Sequence, residues 1–121
     1  MDVSVIQLIA TPERFDGNRV RVVGYLHQSF ENSGFYLHQA DYELSLHRNG
    51  LWLSGTCGRG QYAYNNRYVL IEANFSAKDH GHLGLWSGEL HDLGRCVPWG
   101  DKQPGSASNN SFKPNPLRGS A

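Results

Sequence analysis

The stretch Phe15-Asp16-Gly17-Asn18-Arg19-Val20-Arg21-Val22-Val23-Gly24-Tyr25-Leu26 constrains the fold more than any other part of this chain. Asp16-Gly17 signals a tight turn, because glycine reaches left-handed backbone at no steric cost. The turn runs into an alternation that sends Val20 and Val22, with Tyr25 or Leu26, to the interior and leaves Arg19 and Arg21 in water. Gly24 then falls inside the strand, where the missing side chain permits a sharp bend or a bulge. A strand that must coil at its middle is how a small closed β-barrel begins.

The chain has 121 residues, which suit one small core. We expect a barrel domain over residues 1–98 and a Pro/Ser/Asn-rich tail over 99–121, whose few apolar residues cannot offset the entropy of ordering it. No run approaches the roughly 20 apolar residues that span a bilayer. The opening Met1-Asp2-Val3-Ser4-Val5-Ile6-Gln7-Leu8-Ile9-Ala10 lacks the basic region and long apolar stretch of a signal peptide. A cytoplasmic protein with no membrane partner is therefore expected, and a reducing cytoplasm would keep Cys57 and Cys96 as thiols.

Lys and Arg number eleven against eleven Asp and Glu, with eight against ten in residues 1–97. The expected barrel is thus mildly acidic and has no basic stripe of the kind that neutralises phosphates, which argues against tight nucleic-acid binding.

Along the chain, Ser4 can cap a helix of about two turns reaching Ala10. Strands are expected at Arg19 to Ser29, Phe35 to His38, Leu51 to Leu53, Tyr68 to Phe75 and Leu83 to Leu93. The segment from Gln39 to His47 suits a short helix or an irregular crossover, and the glycine-rich run from Ser54 to Asn66 reads as a loop. Asn49-Gly50 is a strong turn dipeptide. These elements fit a mainly β fold, a small five-stranded Greek-key barrel with a short N-terminal helix and a disordered C-terminal tail.

With those elements in place, the chain resembles the oligonucleotide/oligosaccharide-binding (OB) fold. It is similar to a group of small uncharacterised bacterial proteins with an OB-like core, through Leu8-Ile9-Ala10-Thr11-Pro12-Glu13-Arg14-Phe15-Asp16-Gly17 and Val20 to Leu26. Tyr36-Leu37-His38, Asn49 to Leu53, Tyr68 to Glu72 and Gly81 to Gly88 continue the likeness. The resemblance implies an architecture and assigns no activity to any position.

Chemistry has few footholds in this sequence. His80 and His82 form an HxH pair with His91 nearby, but zinc takes three or four ligands and no Cys or Glu is spaced to complete the set, so no metal or other cofactor is expected. Thr56-Cys57-Gly58-Arg59-Gly60 has no partner base and lacks the ending of a phosphate loop. Asp41, Glu43, Glu89 and Asp92 read as solvated faces, and no catalytic residue is expected.

Binding has more support, because OB folds stack ligands on aromatic side chains of one sheet face. Tyr25, Tyr36, Trp52 and Trp86 are the candidate platform, with Arg21, Arg48 and Arg59 at its edge. Core packing competes for each aromatic, most strongly for Trp52 and Trp86 among their leucines. A non-enzymatic module engaging a protein partner is expected, with toxin immunity as a narrower form. Binding of single-stranded nucleic acid or oligosaccharide through the aromatic face is the alternative.

Overall fold

The computed structural model describes residues 1–29, 32–58 and 63–100. Among the described residues there are seven strands and two short α-helices: β1 (Asp2–Ser4), α1 (Val5–Ala10), β2 (Arg19–His27), β3 (Gly34–Tyr36), α2 (Gln39–Glu43), β4 (Gly50–Leu53), β5 (Arg67–Ser76), β6 (Glu89–His91) and β7 (Cys96–Pro98). Strands β2-β3-β4-β6-β5 follow one another in the sheet, and β2 pairs again with β5 to close a five-stranded barrel. The expected mainly β barrel is thus observed, and its strand order is compatible with an OB-like fold. Strands β1 and β7 attach outside the ring, to β2 and β5 respectively.

The long strand β2 organises the barrel. Along one edge it pairs with β5 from Arg19 through Leu26. Along the other it changes partner, running parallel to β1 at Arg21 to Val23 and antiparallel to β3 at Tyr25 to His27. Gly24 lies between the two registers. A Cβ there would stand 2.7 Å from the carbonyl oxygen of Tyr36 and 2.8 Å from the ring of Phe35. The missing side chain lets β3 close onto β2 and lets Phe35 fill the interior.

Inside the barrel, Val20, Val22 and Leu26 of β2 meet Phe35, Leu51, Leu53, Val69, Ile71, Ala73, Phe75 and Leu90. Of the two residues that compete for the interior after Gly24, Leu26 faces the core and Tyr25 the outer side. Helix α1 adds Val5 and Leu8 to the same cluster. Its first turn carries a capping box in which Ser4 Oγ accepts from the Gln7 amide at 3.1 Å and Gln7 Oε1 accepts from the Ser4 amide at 2.8 Å.

Three expectations are corrected. Cys57 and Cys96 form a disulfide rather than two thiols. Strand β7 turns back along β5 and brings Cys96 to a Cα separation of 5.6 Å from Cys57, well within bridging range. The fifth barrel strand is only Glu89–His91, not Leu83 to Leu93. Positive φ at Gly81, Leu83 and Gly84 folds residues 81–85 into a tight 3-10 turn that cannot join a ladder. Asp41 is buried rather than solvated, because its carboxylate accepts from the His38 amide at 2.8 Å and from Asn49 Nδ2 at 3.0 Å and so ties α2 to the turn before β4.

No helix among the described residues is long and apolar enough to cross a membrane. The tail expectation falls almost wholly outside the described residues. Trp99 and Gly100 are described, and the Trp99 amide donates to the Tyr68 carbonyl at 2.9 Å, continuing the line of β7.

Candidate functional site

The strand alternation that packs the barrel also fixes which aromatics stand outside it. On β2, β3 and β4 the residues out of phase with the core are Tyr25 and His27, Tyr36, and Trp52. With aromatics supplied by the connections they form a belt of two ring clusters. Tyr42 of α2 stacks on His27 at 4.2 Å and lies 5.9 Å from both Tyr25 and Tyr36. Tyr68 meets Tyr25 edge-on at 5.3 Å. Toward the other end, Trp52 and Trp86 meet at 4.9 Å and 70°, with His47 on Trp86 at 4.6 Å and His82 beside Trp52 at 6.5 Å.

Of the four candidate aromatics, Tyr25 and Tyr36 both meet Tyr42, Trp52 meets Trp86, and three of the four are covered. Tyr25, Tyr36 and Trp86 are buried, and Trp52 alone keeps a partly open ring. Helix α2 covers the tyrosines. Trp86 packs against Trp52 and His47, and its backbone is pinned to the turn by its amide donating to the His80 carbonyl and by a 2.9 Å contact of His80 Nδ1 with its carbonyl. Burial pushes the phenol groups of Tyr25 and Tyr36 above their ordinary pKa, so both keep their protons at neutral pH.

Arg48 is exposed at the rim of this belt, where its carbonyl accepts from Ser87 Oγ at 2.6 Å. Arg21 is not at the rim. It stands at the far end of β2, where Asp2 accepts from it at 2.6 and 3.1 Å and Glu72 lies 3.7 Å away. The Arg21 guanidinium holds the Asp2 carboxyl below the usual carboxylate range. Arg59 lies outside the described residues.

The outer edge of the belt carries a feature that the sequence does not advertise. Leu44 and Leu46 flank Ser45 at the end of α2, and Leu83 and Leu85 sit on the 3-10 turn, all four exposed. The His47–Trp86 contact and the hydrogen bonds of Ser87 to Arg48 and Gly50 hold the two segments side by side. Both tips have left-handed backbone at a residue other than glycine: Ser45 at φ 57° and Leu83 at φ 60°. Leu83 is 77% exposed. A leucine in this conformation costs about 1 kcal/mol or more and here regains little through burial. The underside of the turn is anchored, since the Trp52 indole packs on Gly81 (φ 70°) so closely that a Cβ there would stand 2.5 Å from the ring.

The histidines of the HxH pair are engaged separately, His80 on the Trp86 carbonyl and His82 over Trp52, while His91 lies 3.3 Å from Asp92. Among the described residues no three His, Cys, Asp or Glu side chains converge. Glu89, directly opposite Trp52 in the β4–β6 pairing, is pushed to a higher pKa by burial and by the neighbouring charge of Asp79. Cys57 is spent in the disulfide and offers no nucleophile.

Sequence reasoning missed Tyr42, Tyr68, His27 and His47 as members of the belt, and the four exposed leucines. Leu44 follows Ala40 at a spacing that mimics the apolar face of a helix, and nothing in the letters marks where left-handed backbone at Ser45 ends it. Compared with models of known families, with curated proteins and with solved structures, the chain matches none.

Proposed function

We propose that this protein is a non-enzymatic binding module that engages a protein partner through the leucine-rimmed face around Trp52 and Trp86. The observation that carries the reading is Leu83, a large apolar side chain held open to solvent on strained backbone. Strained residues of this kind cluster at functional sites, where binding can make use of them. Around it stand Leu44, Leu46, Leu85, the open edge of Trp52 and the cation Arg48, an apolar centre with an arginine at its margin, as at protein interfaces. The rigid aromatic belt beneath keeps the patch in place before docking and lowers the ordering cost of association.

Stacking of bases or sugars is supported less. Tyr25 and Tyr36 are already packed against Tyr42 of α2, and Trp86 against His47 and Trp52, so of these four candidates Trp52 alone is part-exposed. The disulfide supports residence in an oxidising compartment over the cytoplasm that the sequence alone suggests.

The test is quantitative cross-linking with mass spectrometry in the source cell, comparing the natural chain with Leu46→Asp/Leu83→Asp and with Ile6→Asp, an exposed site on α1. A partner retained by Ile6→Asp and lost by the leucine variant supports the reading, and its identity decides whether toxin immunity is the role. Capture of the same set by all three chains overturns it. Binding to an oligonucleotide that falls steeply with salt would favour the alternative.

A further inference from the structure

The leucine face occupies one side of the barrel; a second concavity lies over another. β1 and β7 flank the paired barrel strands β2 and β5, and the outer face of these four strands forms a groove of about 560 Å³. Val23 and Leu70, paired across β2 and β5, make its apolar floor, and Arg21, Arg95 and Trp99 are among its walls.

Strand periodicity puts Arg95 and Trp99 on the same side of β7, opposite to Cys96, which packs against the core. Hydrogen bonds fix the backbone at both positions: the Arg95 carbonyl accepts from the Glu72 amide at 2.8 Å, and the Trp99 amide donates to Tyr68 at 2.9 Å. The disulfide at Cys96 ties the strand between them to the other side of the core. Both side chains are thus presented from anchored backbone although both are exposed, Trp99 by 52%.

Charge decides what such a groove accepts. The Arg21 guanidinium is already met by Asp2 and Glu72. Arg95 has no ion pair among the described residues, so it is the uncompensated charge on the groove wall. Asp2 is the one carboxylate of the groove lining and is held by Arg21, so the single available cation suits a monoanion. The volume lies within the roughly 300–1,000 Å³ of small-molecule sites.

We propose that this groove binds a small amphipathic carboxylate, its head on Arg95 and its apolar body along Val23 and Leu70 against the Trp99 indole. The site is separate from the leucine face, and its failure would leave the protein-docking reading untouched.

Octanoate is the probe, with octanamide as its neutral counterpart, titrated into the ¹⁵N-labelled full chain and followed by NMR. Saturable shifts of the Trp99 indole N–H and the Val23 and Leu70 amides are expected, with a dissociation constant below about 1 mM. Octanamide should bind at least tenfold more weakly. Arg95→Gln should lower octanoate to the octanamide level and leave octanamide unchanged, whereas Trp99→Ala should weaken both. Because both residues are exposed, the variants should melt with the natural chain. Absence of saturation, equal affinity for the two probes, or shifts confined to Leu44, Leu46, Leu83 and Leu85 would each overturn the proposal.

Discussion

Removing the bond between Cys57 and Cys96 should cost this protein a large part of its stability. The two residues are 39 apart, and the segment they enclose holds β5 and β6, the strands that close the barrel. In the chain-entropy account, a closed loop of this length withholds about 13 cal/mol/K from the unfolded ensemble, or about 4 kcal/mol at 25 °C. That is a sizeable share of the roughly 5–15 kcal/mol by which small domains are stable. At about 4 °C per kcal/mol, the midpoint should fall by about 15 °C. Cys57→Ala/Cys96→Ala and the reduced natural chain should give similar losses in urea titrations followed by tryptophan emission. Amide exchange should accelerate first at Val69 to Ile71, where β7 covers the edge of β5. A loss below about 1 kcal/mol in both would refute the argument, as would an intact mass showing two free thiols in protein purified without reductant.

Three further outcomes follow from particular contacts. Gly24→Val should cost about 3 kcal/mol or more, because its Cβ meets the Tyr36 backbone and the Phe35 ring, whereas Val22→Ala, which loses two methyl groups, should cost about 2 kcal/mol; equal melting temperatures would count against the close approach of β2 and β3. Leu83→Gly should raise stability by about 1 kcal/mol by relieving left-handed strain at an exposed site while weakening partner capture, and a destabilised variant would show that Leu83 packs within the chain. Glu89 has a folded-state pKa raised by burial, so folding favours its protonated form and stability falls as pH rises from the ordinary glutamate value through the raised one. Glu89→Gln should therefore raise the melting temperature at pH 7 and leave it unchanged well below the ordinary glutamate pKa, and a pH-independent difference would refute that linkage.

The barrel was legible because its signals are local. Alternation at Arg19 to Leu26, the run Tyr68 to Phe75 and the break at Gly24 each act through backbone sterics and burial, and the strands lie where those signals put them. Ser4 marked the start of α1 for the same reason, through an orphan amide that its hydroxyl satisfies. The fifth strand misled because Leu83, Leu85 and Trp86 supply apolar residues without supplying a ladder, and left-handed backbone at Gly81 and Gly84 outweighs their β propensity. The disulfide was hidden because it joins a loop to a short added strand, β7, whose pairing with β5 no periodicity announces. The burial of the candidate aromatics depends on Tyr42 and His47, which reach them from α2 and the turn before β4. Long-range contacts of that kind leave no trace in residue spacing.

The placement of the three indoles equips the molecule with two built-in optical reporters. Trp52 and Trp86 stand edge to face within coupling distance, beside the leucines, so their joint circular dichroism should register any event that shifts that turn. Trp99, bordering the groove beyond β7, has no aromatic ring contact among the described residues and is open to water, so its red-shifted emission should respond to occupants there. Two surfaces of one unlabelled protein can then be followed in a single cuvette.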